Sequence, residues 1–230
     1  MSRFFRANSQ MWIVFGLTAV CSMAITLFPK NIIYYTKYEL DDVALGGTAL
    51  ILLTVGKAVS QLLWIKIAAI AGKKKGLQVA HVSLALLLIG FYLTVHLSIW
   101  LFLLYVFLIG CAVGGIYMLN WAILPDIIEY GEWKTGIRIE ATVFGLFTLL
   151  NKVSIGLGVF MLSLLLGMAG FEANKAQTPQ AADAISLLMC LLPTLGSFVS
   201  LMLLGRYKIS EEAHDQMVEN LEKRKRPSLS

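Results

Sequence analysis

Six runs of apolar residues, at about 11–36, 43–70, 77–96, 99–124, 140–168 and 183–205, set the terms on which this 230-residue chain can fold. A helix needs about 20 apolar residues to cross ~30 Å of hydrocarbon, and each run reaches that length. Lipid offers a backbone N–H or C=O no partner, so a spanning segment must be a helix or a strand of a closed barrel. The runs are too long for barrel strands of about 10 residues. The fold class is therefore all-α integral membrane, with six transmembrane helices. Residues 1–10 read as a cytoplasmic N-terminal segment, 11–205 as the bundle and 206–230 as a cytoplasmic basic tail. Only 14% of the residues are charged, against about 25% in soluble domains.

Lysines and arginines set the orientation. With the N-terminus inside, 13 fall on the inner side and three (Lys30, Lys37, Lys175) on the outer. Three more (Lys57, Lys66, Lys152) lie within helices, which accounts for all 19. The positive-inside rule then puts both ends in the cytoplasm. The net charge of +5 sits in loops and tail. Nucleic-acid recognition needs a soluble basic face, so the bilayer is the expected partner and nucleic acid is not.

Two of the three intrahelical lysines are expensive. Lys66 is ~10 Å from Lys73 along the helix and can snorkel to the inner surface. Lys57 lies ~24 Å from that end, so it must face the bundle interior or a wet cavity, as a functional or as a paired structural lysine. It shares a face with Thr54, Gln61 and Trp64. Lys152 lies ~18 Å beyond Glu140, near mid-membrane. An intramembrane cation is a functional hypothesis by default.

The remaining signals cluster between residues 110 and 152. Gly110, Gly114 and Gly115 allow close helix approach. Tyr117, Asn120 and Trp121 follow; an aromatic beside an amide suits a sugar, and an inner aromatic belt explains them as well. Asp126, Glu129 and Glu132, with Arg138 and Glu140, make a charged inner loop. Asn151 adjoins Lys152, and Thr148 shares the Lys152 face. Pro29 should kink or end the first helix, Tyr34 and Tyr35 suit an interfacial belt, and His81 and His96 read as boundary residues. Cys21, Cys111 and Cys190 lie in different runs and read as free thiols. An enzyme handling diphosphates needs clustered acids to hold a divalent cation; the Asp41–Asp42 pair falls on the outer side, so no enzyme is expected.

The stretches NWAILPDIIEYGEWKTGIRIEA, FTLLNKVSIGLG and LLLGMAGF resemble the glycoside–pentoside–hexuronide:cation symporter family. RANSQMWIVFGL and FPKNIIYYTKYEL look like that family's seventh helix, and AGKKKG like its loop between helices eight and nine. The family has the major facilitator fold of two six-helix bundles, and this chain is similar to the C-terminal bundle only.

The resemblance implies a bacterial cytoplasmic-membrane carrier performing symport of a sugar, glycoside or uronide with Na⁺ or H⁺ by alternating access. No cofactor is implied. The partners implied are the substrate and an N-terminal six-helix bundle, in the same chain or a separate one. Thr148 is implied near the coupling cation, as the one contact to Na⁺ in this half. Lys152 is implied at the sugar–cation site, and Tyr117 where an aromatic faces the sugar. Asp126, Glu129, Glu132, Arg138 and Glu140 match the family's charged cytoplasmic loop and should pair with the other bundle as a gate. Lys57 has no counterpart in the resemblance. The alternative is a non-transporting remnant or membrane subunit of a split transporter.

Overall fold

The computed structural model describes residues 2–225, so Arg226 of the basic tail lies outside it. The described residues form α1 (Ser2–Ala7), α2 (Ser9–Tyr38), α3 (Val43–Ala71), α4 (Lys73–Thr94), α5 (Ile99–Ala122), α6 (Leu124–Thr135), α7 (Glu140–Met168), α8 (Pro179–Arg206) and α9 (Glu211–Lys225), with no strand among them. Six spans (α2, α3, α4 with the short 3₁₀ turn after it, α5 run together with α6, α7 and α8) are long and apolar enough to cross a membrane.

Their packing has an internal symmetry. α2 packs on α3, α7 and α8; α5 packs on α3 and α4; α4 packs on α8. Exchanging α2, α3 and α4 for α5, α7 and α8 carries the α3–α5 contact onto α7–α2, and α4–α5 onto α8–α2. That is the pattern of two three-helix repeats, each lending its second helix to the other.

Small residues and polar stitches hold these crossings, as expected where lipid supplies no hydrophobic drive between helices. A Cβ added at Gly110 would come within 2.3 Å of the Leu53 carbonyl oxygen, and one at Gly114 within 2.7 Å of that of Lys57. The backbones of α3 and α5 therefore touch. Trp64 Nε1 and Ser60 Oγ both donate to the Cys111 carbonyl across that contact, at 2.8 and 3.1 Å. Asn31 Nδ2 donates to the Ile185 carbonyl between α2 and α8, at 2.9 Å.

α2 continues through Pro29 to Tyr38, so the proline does not end it. Two other expectations are corrected here. Tyr35 is a core residue, stacked on Phe102 at 5.7 Å, because it lies on the face α2 turns to α4 and α5. His81 is 1% exposed, its Nε2 3.3 Å from Cys21 Sγ, because it lies two turns inside α4 and faces α2 and α8 rather than a boundary. The polar termini pack on the bundle end as well. Phe4 of α1 is fully buried against Gly131 of α6, and Asn8 caps α2 through Met11 N while donating to the Ile127 carbonyl at 2.7 Å. α9 lies on α6 and buries Met217 and Leu221. α1, α6 and α9 thus form an amphipathic layer at one end of the bundle, called here the α6 end.

Phe4→Ala empties the space beside Gly131 and should cost about 3–5 kcal/mol of local packing. The layer should then open, read as faster proteolysis within α6; unchanged cleavage would contradict the packing.

Candidate functional site

Halfway along the bundle, α2, α3, α5 and α7 surround a shallow cavity of about 160 Å³. Ser22, Ile25, Thr26, Pro29, Lys57, Val113, Tyr117, Asn151 and Ile155 line it. Lys57 is fourteen residues from either end of α3, so ~21 Å from each. It is half-buried, and its ammonium has no hydrogen bond or ion pair among the described residues. Asn151 is buried and donates to Ser22 Oγ at 2.7 Å, which fixes α7 against α2. Tyr117 is 52% exposed at the mouth.

Lys152 is twelve residues from the start of α7 and sixteen from its end, at nearly the depth of Lys57. At about 100° per residue, Ile155, Thr148 and Lys152 lie about 40°, 60° and 100° round the helix from Asn151, all in one direction. Ile155 lines the cavity, so Thr148 and Lys152 continue the same side of α7 outward, and both are exposed. The structure therefore gathers Lys57, Tyr117 and Asn151 round the cavity, with Thr148 and Lys152 on the open face beside it.

Two expected residues sit elsewhere. Asn120 is buried and exchanges hydrogen bonds with Thr18, at 3.2–3.3 Å, because it faces α2. Its amide is occupied in joining helices. Trp121 is half-buried, its ring edge-on to Phe147 at 4.9 Å, so it packs α5 against α7. Sequence reasoning missed Ser22 and Thr26, which are ordinary helix hydroxyls until α3, α5 and α7 are placed around them.

Part of the charged loop pairs within this bundle's own end layer. α6 is amphipathic, so its acids point at their own end layer. Lys73 Nζ meets Asp126 at 2.6 Å, with Asp126 only 5% exposed. His214 of α9 meets Glu129 at 2.6 Å and lies 3.6 Å from Asp126. Arg138 bridges Glu140 at 2.7 Å and Glu132 at 2.9 Å, and these two carboxylates raise its pKa further. Glu211 of α9 accepts from Lys73 N at 2.9 Å, capping α4.

These pairs differ in weight. Removing one partner of a buried pair strands a charge and costs about 3–5 kcal/mol; exposed pairs are worth ~0–1 kcal/mol. Lys73→Met, which strands Asp126, should therefore lower the melting temperature clearly more than Lys175→Gln, whose pair with Glu172 is exposed on both sides. The reverse order in a melting series would contradict the arrangement.

Six apolar helices in two interlocked triplets, with a polar recess at mid-depth, define a transporter-type helical bundle. The chain belongs to the MFS/sugar transport protein family, whose model matches residues 1–211. It is 29% identical over 220 residues to the uncharacterized symporter YjmB of Bacillus subtilis (strain 168), covering 94% of this chain and 47% of that protein. It is 29% identical to the glucuronide carrier protein homolog of Escherichia coli (strain K12), covering 90% and 46%. With the putative sulfoquinovose importer of Salmonella typhimurium it shares 30% identity, covering 84% and 41%. The chain spans about half the length of these curated relatives. The family is one of transport proteins, which excludes the enzyme reading and supports the resemblance to glycoside–pentoside–hexuronide symporters.

Proposed function

We propose that this chain is the second six-helix bundle of a cation-coupled sugar symporter in the bacterial cytoplasmic membrane. The observation that carries the reading is the open polar face at mid-depth, with Lys57, Tyr117, Thr148 and Lys152 at or beside one recess. Charged side chains near the bilayer centre face a bundle interior or a wet cavity rather than lipid. In transporters of two bundles, that position between bundles is where solute and coupling ion bind.

Lys152 is assigned to the sugar–cation site, balanced by carboxylates of the other bundle until Na⁺ or H⁺ takes over part of that charge. Thr148, one turn away, offers its hydroxyl oxygen to Na⁺. Tyr117 stacks on the sugar ring at the mouth. Cation occupancy and sugar affinity are then linked, each raising the other by the same factor. The basic surplus puts the α6 end in the cytoplasm. The α6 pairs hold the end layer together, and alternating access occurs by rocking of the two bundles about the recess. The solute is a sugar, glycoside or uronide, in keeping with relatives named as a glucuronide carrier homolog and a sulfoquinovose importer.

The test is solute-dependent Na⁺ or H⁺ uptake into vesicles containing the protein with its companion bundle. Uptake driven by a sugar gradient supports the reading, and sugar flux indifferent to either ion gradient overturns the coupling. The half-length match to relatives favours a second reading, a non-transporting subunit or remnant of a split transporter. Coupled uptake by the 230-residue chain alone would overturn that alternative.

A further inference from the structure

We propose that Lys57 binds an anionic group of the transported solute, so that the recess prefers a glycoside bearing a carboxylate or sulfonate over its neutral counterpart. The proposal rests on the transporter reading and adds a solute class to it.

Of the fourteen acids, Glu39, Asp41, Asp42, Glu172 and Asp183 lie at or near the end opposite α6; Asp126, Glu129, Glu132 and Glu140 lie at the α6 end; the other five lie in or beside α9. None is at the depth of Lys57. An ammonium removed from water needs an oxyanion beside it, and this half offers none at that level.

The charge of Lys57 disfavours a cation in the recess, and the neighbouring polar groups can donate to an anion. Thr26 gives its hydroxyl proton to the Ser22 carbonyl at 2.7 Å. Ser22 Oγ accepts from Asn151 Nδ2, which leaves the Ser22 O–H and the second Asn151 N–H as donors. With Lys57 and the Tyr117 hydroxyl on the same lining, the polar wall is rich in donors, as a carboxylate or sulfonate requires.

Position separates the two lysines. Lys152 stands exposed on the outward side of α7, within reach of an apposed bundle. Lys57 is set back in a wall built by four helices of this chain, where a solute group enters more readily than a side chain of another bundle. Two sources of the oxyanion nonetheless share this chemistry, the solute and the partner bundle.

The experiment uses the protein purified with its companion bundle in lipid nanodiscs. It measures the affinity of matched pairs, such as a phenyl glucoside with the phenyl glucuronide and a glucose derivative with its 6-sulfonate. Wild type should prefer the anionic member. Lys57→Met should reduce that preference by about 10–100-fold, the worth of a hydrogen bond to a charged group. Lys57→Arg should keep most of it, which also controls for folding.

An unchanged preference in Lys57→Met would overturn the proposal. Equal losses for both members would assign the Lys57 counter-ion to the partner bundle and overturn it too, leaving the transporter reading in place. Failure of wild type to bind any sugar in the panel would remove the transporter reading and the proposal together.

Discussion

Lys152→Ala, in the protein joined to its companion bundle, should leave membrane insertion intact and uncouple sugar from cation. Coupling between two ligands is typically 5–150-fold, about 1–3 kcal/mol. The wild-type sugar affinity should rise by a factor in that range on adding Na⁺ or lowering pH, and the variant's should not. In the proposed mechanism Lys152, exposed at mid-depth on the open face, is the charge that carboxylates of the other bundle exchange for the coupling ion, and the variant has none to exchange. The measurement is sugar binding with and without the cation, alongside coupled uptake. A variant that keeps its cation dependence would remove Lys152 from the mechanism.

Gly110→Leu should have the larger effect on the folded bundle. Its Cβ alone would lie 2.3 Å from the Leu53 carbonyl oxygen, against backbone that cannot swing aside. Overpacking of this kind costs about 1–3 kcal/mol and occasionally more. Here it also separates the Trp64 and Ser60 donors from the Cys111 carbonyl. α3 carries Lys57, so sugar binding should fall with the yield of folded protein. Gly47→Ala is the control in the same helix, with nothing within 4 Å of the added Cβ, and should leave the melting temperature unchanged or slightly higher. Equal yields for Gly110→Leu and Gly47→Ala would show that α3 and α5 do not touch as described.

Much of this molecule was legible in the sequence, and the illegible parts share a cause. The six helices follow from run length alone, since lipid leaves the backbone no other solution. The depths of Lys57 and Lys152 follow from a fixed rise per residue. Those arguments use one chain coordinate. What needs two elements at once was missed. Asn120 and Tyr117 are three residues apart, yet one bonds Thr18 in the interior and the other stands exposed at the recess. Only the placement of α2 against α5 decides between them.

The charged loop shows the same limit. Its acids can be placed at one end of the bundle from sequence, but not their partners Lys73, from the start of α4, and His214, from α9. The polar end segments likewise reveal their packing only through Phe4 on Gly131 and Glu211 on Lys73 N. Propensity marks such segments as soluble; it does not say that they form a layer on each other.

Whether the face holding Tyr117 and Lys152 meets a water-filled cleft or lipid decides the transporter reading. Tyr117→Cys tests it directly, with Cys21 and Cys190 buried and Cys111 half-buried as internal references. In membranes holding the protein with its companion bundle, a charged, water-soluble thiol reagent should modify the introduced thiol, and bound sugar should slow the reaction. Modification by lipid-soluble maleimides alone, unaffected by sugar, would place that face against hydrocarbon and contradict the account.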